Sequence, residues 1–235
     1  MTQRKSRIMC VWPGIYLGWE SLGQGFENSS MNHGLASISA VLKQAGHDCF
    51  MFDLRALKNW EDYERTMAQM DFDVCIIGFL SVDNFIADKA IRIIKQLFPN
   101  KPVIAGGVHI TFNQLKEFSV ADVVVWGEGD EVVLDLIQKF ENGEPLPKHV
   151  IAPVIKDLDT LPFVDRGLFH GGRYEPDNPF LPLMEKPFFT VNFSRGCNFS
   201  CSFCLELEAQ CVPRIFPIIF RAMSMEKNGK PKRKE

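Results

Sequence analysis

Over the first 142 residues, short apolar runs alternate with stretches whose apolar positions recur every three or four residues. Residues 7–12 (RIMCVW), 48–54 (DCFMFDL), 73–80 (DVCIIGFL), 102–106 (PVIAG) and 121–126 (ADVVVW) predict strands. Several carry consecutive rather than alternating apolar side chains, the pattern of strands covered on both faces. Between them, Leu35, Ile38, Val41 and Leu42 share one helical face. Ile86, Ala90, Ile93, Ile94 and Leu97 share another, stopped by Pro99. Val133, Leu136, Ile137 and Phe140 form a third, ended by Asn142 and Gly143. Weaker helical patterns cover 59–70 and 111–119. Five such β-α units predict an α/β fold: a doubly wound five-stranded parallel sheet with helices on both faces.

Sheets of this kind bind ligands outside the carboxyl ends of their strands. Those ends are glycine-rich here. The first predicted strand runs into WPGIYLGWESLGQGFENSSMNHG, about twenty residues with little periodicity, and a loop that long in a compact domain is usually functional. Ser81 follows the third strand, Gly106 and Gly107 follow the fourth in AGGVHIT, and Gly127, Glu128 and Gly129 follow the fifth in WGEGDE. Glycine at a strand tip lets a bulky ligand approach the backbone. For any one of these glycines alone, turn chemistry is explanation enough. His109 either touches a ligand or caps its own loop. Glu128 either accepts hydrogen bonds from a ligand or serves the N-terminus of the last helix, as Asp130 and Glu131 do.

Residues 143–187 hold eight prolines, from Pro145 to Pro187, and predict an extended linker in which Leu158, Leu161, Pro162 and Phe163 pack rather than react. Residues 188–211 then contain FFTVNFSRGCNFSCSFCLE, with Cys197, Cys201 and Cys204 spaced C-x3-C-x2-C. Three thiolates this close suit a soft metal centre, whereas a structural zinc site wants four ligands. Cys10, Cys49 and Cys75 lie inside predicted strands and read as small buried hydrophobes. Seven cysteines, an odd number, fit a reducing cytoplasm better than a disulfide scaffold. Lys and Arg total 26 against 29 Asp and Glu, so no basic surplus points to nucleic acid. No apolar run approaches the roughly 20 residues of a membrane span.

The cysteine spacing after an apolar strand resembles the signature of radical S-adenosylmethionine proteins. The preceding domain resembles the flavodoxin-like/Rossmann-like cobalamin-binding domain found ahead of the radical barrel in many of them. The resemblance spans residues 5–205. It implies a four-iron four-sulfur cluster on Cys197, Cys201 and Cys204, with S-adenosylmethionine on the fourth iron and Phe203 near its adenine. It implies cobalamin contacts from Ser81, Gly106, Gly107, His109, Gly127, Glu128 and Gly129. Many cobalamin domains carry D-x-H-x-x-G after the first strand, with the histidine as lower cobalt ligand; that motif is missing here, and His33 sits in NHG. Base-off cobalamin without a histidine ligand is therefore expected. The expected chemistry is methyl transfer or a related radical C–C or C–H transformation, fed by an electron donor such as flavodoxin or ferredoxin.

After Cys204 the family pattern fades. VPRIFPIIFRAM is broken by Pro213 and Pro217, and residues 212–235 end in the charged run EKNGKPKRKE. The sequence reading is of a barrel that has only begun, which gives the alternative expectation of a chain that binds cobalamin without catalysing.

Overall fold

The computed structural model describes residues 5–14, 31–113, 118, 120–169, 191–192 and 194–197, and the backbone of 214–215. Its centre is a parallel sheet of β1 (Arg7–Trp12), β2 (Asp48–Asp53), β3 (Val74–Gly78), β4 (Val103–Gly106), β5 (Val123–Trp126) and β6 (His149–Ile151). The strands lie in the order β2-β1-β3-β4-β5-β6. The five predicted strands all form, and the α/β doubly wound class holds. The sheet has six strands rather than five, because β6 joins β5 from inside the proline-rich segment. Its three residues HVI are half-buried or exposed, so no apolar run announces them. Backbone pairing holds them instead: Val124 N donates to Lys148 O at 2.9 Å and Ala152 N to Trp126 O at 2.8 Å.

Helices α1 (His33–Gln44), α2 (Trp60–Met67), α3 (Asn84–Leu97), α4 (Val108–Phe112) and α5 (Gly129–Glu141) connect the strands. Strand side chains alternate between two cores, which explains the consecutive apolar runs. Ile8, Cys10, Ile76, Ile104 and Val125 pack with Leu35 and Leu42 of α1 and Val133 and Ile137 of α5. Met9, Val11, Cys75, Ile77 and Val124 pack on the other face with Tyr63, Met67, Ile91 and Ile94 of α2 and α3. Of the helix pattern expected over 111–119, residues 114–117 and 119 lie outside the described residues; α4 starts directly after Gly107 and includes residues 111 and 112.

Residues 152–169 cross the α1/α5 face. Leu158, Leu168 and Phe169 are buried, and Phe169 meets Trp12 edge-on with ring centroids 5.6 Å apart. Asp165 fastens this segment to α1. Its carboxylate accepts from Ser39 Oγ at 2.6 Å and pairs with Lys43 Nζ at 2.7 Å, while its backbone N donates to Ala36 O at 2.9 Å. Farther along, β7 (Ser194–Arg195) pairs antiparallel with β8 (Arg214–Ile215). No described helix is long and apolar enough to cross a membrane.

Candidate functional site

A cavity of about 850 Å³ opens at the carboxyl ends of β3, β4 and β5, on the side covered by α1 and α5. The chain turns back between β1 and β3, so the cavity begins beside the topological switch point where such sheets bind ligands. Leu35, Ile38, Ile76, Ile104, Val125 and Val133 give it apolar walls. Two exposed apolar residues, Leu80 and Val108, stand at its mouth.

Glycines shape the wall. Gly34, Gly78, Gly106, Gly107, Gly127 and Gly129 all line it. At Gly107 the need for glycine is double. Its φ is +103°, and a Cβ there would lie 2.8 Å from Phe79 O and 2.9 Å from Phe79 N. The turn after β4 therefore folds tightly against the end of β3. Gly106 is different: a Cβ would find only ordinary contact with Val125, so glycine there leaves space in the cavity rather than relieving strain.

Gly106, Gly107, Gly127, Glu128 and Gly129 meet in this one wall. Ser81 and His109 are not in it. Ser81 is exposed on the short turn Ser81–Asp83, one residue past the cavity edge. His109 is buried in α4, 5.6 Å from the Phe79 ring and 6.2 Å from that of Phe118, with Asn113 Nδ2 3.0 Å from its Nδ1. The structure thus gives His109 a packing place beneath the wall. Glu128 precedes α5, lines the cavity, and accepts from Ile155 N at 2.9 Å.

Sequence reasoning missed several lining residues. Asn32 caps α1 by accepting from Leu35 N at 3.0 Å, and its Nδ2 donates to Gly78 O at 3.3 Å, tying the helix start to the tip of β3. His33 lines the cavity beside it; burial, then the Arg166 charge, lower its imidazole pKa, which favours the neutral ring. Asp130, read as a first-turn acid serving its own helix, is instead a buried partner for a distant arginine. Arg195 Nη1 and Nη2 donate to its two carboxylate oxygens at 2.8 and 3.0 Å. Ser37 Oγ also donates to Asp130. Burial alone would raise this carboxyl's pKa, but the Arg195 hydrogen bonds and charge and the Ser37 hydroxyl outweigh it and hold it below the usual range. The partner lies 65 residues away, so no local spacing in the sequence pointed to the pair.

Arg195 is two residues before Cys197, which is half-buried. Cys201, Cys204 and Phe203 lie outside the described residues. Among the described residues no group of three His, Cys, Asp or Glu side chains could hold a metal. Cys10, Cys49 and Cys75 are buried in the sheet, as their strand positions imply.

A doubly wound sheet with a glycine-walled cavity at its carboxyl end is the arrangement in which folds of this class bind nucleotides and cofactors. The family model described as the B12 binding domain matches residues 24–137. An anaerobic magnesium-protoporphyrin IX monomethyl ester cyclase of Rubrivivax gelatinosus is 32% identical over 227 residues, covering 85% of this chain and 38% of that protein. The cyclase of the same description from Cereibacter sphaeroides is 25% identical over 223 residues, with 85% and 35% covered. An uncharacterized methyltransferase of Pyrococcus horikoshii is 26% identical over 190 residues, with 73% and 39% covered. The chain spans less than two fifths of the length of these curated relatives.

Two solved structures share the fold. The cobalamin-dependent S-adenosylmethionine radical enzyme OxsB, with aqua-cobalamin and S-adenosylmethionine bound, aligns with TM-score 0.61 and 17% identity over 86% of this chain and 28% of that one. The radical S-adenosylmethionine methyltransferase TsrM from Kitasatospora setae, with tryptophan and a S-adenosylmethionine analog bound, aligns with TM-score 0.58 and 15% identity over 94% and 45%. Residues 24–137 thus match a B12-binding domain, and the fold is one shared with cobalamin-dependent radical S-adenosylmethionine enzymes, as the sequence resemblance implies.

Proposed function

We propose that the cavity holds cobalamin and that the chain serves methyl transfer or a related radical C–C or C–H transformation. The observation that carries the reading is the joining of two features. Most of the glycine-walled cavity's lining belongs to the matched residues 24–137, and the rest includes Arg195, two residues ahead of the first cysteine of C-x3-C-x2-C. Gly106, Gly107, Gly127 and Gly129 let the ligand's tail lie against backbone. Leu80 and Val108 offer the corrin ring an apolar seat, and Glu128 lies where it could accept from a corrin amide.

Cys197, Cys201 and Cys204 would hold three irons of a four-iron four-sulfur cluster, the donor set matching soft-metal chemistry. Phe203 would pack by the adenine of S-adenosylmethionine. Together these groups supply methyl-carrying and radical chemistry when bound. An electron donor such as flavodoxin or ferredoxin, and a reducing cytoplasmic setting in which the thiols persist, belong to the same proposal. The D-x-H-x-x-G motif is missing, so cobalamin binds base-off without a histidine ligand, and His33 packs at the start of α1.

Spectral titration with hydroxocobalamin tests the reading. Saturable binding with the base-off spectrum is expected. In the cobalt(II) state, electron paramagnetic resonance should show no nitrogen splitting, with His33→Ala indistinguishable from wild type. A flat titration overturns the assignment; nitrogen splitting that vanishes in His33→Ala overturns the histidine-free part alone. Release of 5′-deoxyadenosine on adding S-adenosylmethionine and reductant to cluster-loaded protein separates a catalytic chain from one that only binds.

A further inference from the structure

Arg195 reaches out of β7 to the cavity wall and ends on polar groups from two helices. It makes a two-pronged pair with Asp130 at 2.8 and 3.0 Å, touches Ser37 Oγ at 3.2 Å, and stands 3.9 Å from Glu128. Asp130 is 6% exposed and Arg195 23% exposed at their side chains. A forked guanidinium–carboxylate pair fixes orientation as well as distance, which a lysine cannot do. Without Arg195, Asp130 would keep the Ser37 hydroxyl but lose its countercharge, so the charge of the wall is balanced only when this segment is docked. Ser37, Glu128, Asp130 and Arg195 all face the same cavity, with Asn192 of the same segment. A ligand filling it would touch both the helices and the docked segment.

We propose that Arg195 is a positioning residue that docks the cysteine-bearing segment onto the cavity wall, so that filling the cavity and holding Cys197 reinforce each other. The coupling half rests on the cobalamin reading; the docking half does not. Coupling between two sites is reciprocal, so what cobalamin does for the segment, the segment does for cobalamin.

The full chain, reduced and freed of metal with chelator, is pulsed with N-ethylmaleimide, and labelling of each cysteine is read by peptide mass spectrometry. Without ligand, Asp130→Asn and Arg195→Gln should label Cys197 about fivefold faster than wild type or more, and Arg195→Lys should fall between. Cys10, Cys49 and Cys75 should stay protected, which reports an intact sheet. Cyanocobalamin is then added, its cyanide keeping thiols off the cobalt. It should slow Cys197 labelling about fivefold or more in wild type and leave Asp130→Asn unaffected.

Equal Cys197 rates in wild type, Asp130→Asn and Arg195→Gln overturn the docking role. Equal slowing by bound cyanocobalamin in wild type and Asp130→Asn overturns the coupling. If Asp130→Asn exposes the buried thiols, the ordering of Arg195→Lys against Arg195→Gln decides in its place. Failure of cyanocobalamin to co-elute with wild type overturns the cofactor reading and its coupling, while the ligand-free rates still decide docking.

Discussion

Single residues carry unequal shares of this site. Gly107 combines a backbone angle closed to other residues with a Cβ position inside Phe79. Gly107→Ala should therefore cost about 1–3 kcal/mol in urea unfolding, the range for a residue forced into such a conformation. Gly106→Ala should leave stability nearly unchanged and weaken cobalamin in a spectral titration, because its methyl meets Val125 at ordinary contact and takes up cavity space. The cysteines make a second contrast. Burial, opposed in part by a hydrogen bond from Ser39, pushes Cys49 up to about 12, and burial also raises Cys10 and Cys75. These three should resist iodoacetamide in native protein near neutral pH and react after denaturation. Asp130 titrates the other way. Its folded pKa is below its unfolded value, so its stabilisation is complete above the unfolded pKa, about 3.9 for an aspartate, and is lost as the pH falls through the folded value. The stability gap between wild type and Asp130→Asn should close as urea titrations are moved from neutral pH into that acid range.

At the scale of elements, strands and long helices were legible because burial writes them into the apolar pattern. Strands β1 to β5 lie between two cores, so each needs an apolar run. Strand β6 lies at the edge and is held by backbone groups, so its side chains were free to read as linker. The same holds for residues 152–169, whose anchors are scattered single residues rather than a periodic face. Asp165 is the chief polar one. Asp165→Ala removes acceptors for Ser39 and Lys43 at once and should cost about 1–3 kcal/mol in the same urea assay. The glycine tips were legible as one cavity wall because they recur at successive strand ends. The Asp130–Arg195 pair was not, since no local spacing joins residues so far apart. His109, which the sequence left between touching a ligand and capping its own loop, is buried against Phe79 and Phe118.

Over the whole molecule, the sheet, the crossing segment and the start of the cysteine loop converge on one end of the strands. Glu128 holds residue 155, Asp165 holds α1, and Arg195 meets Asp130, so three stretches distant in sequence share one wall. A ligand that binds only this arrangement stabilises all of it. Cobalamin at about 100 times its dissociation constant should add about 2.7 kcal/mol, seen as a rise in the melting temperature, and a change confined to Gly106 should reduce that rise.

Trp126 sits at the tip of β5 between two cavity-lining neighbours, Val125 and Gly127, its indole N–H fixed on Thr111 O. An intensely coloured guest in the neighbouring cavity would drain the excited state of that ring by energy transfer. The protein thus carries its own optical gauge: ultraviolet emission that dims as the corrinoid enters.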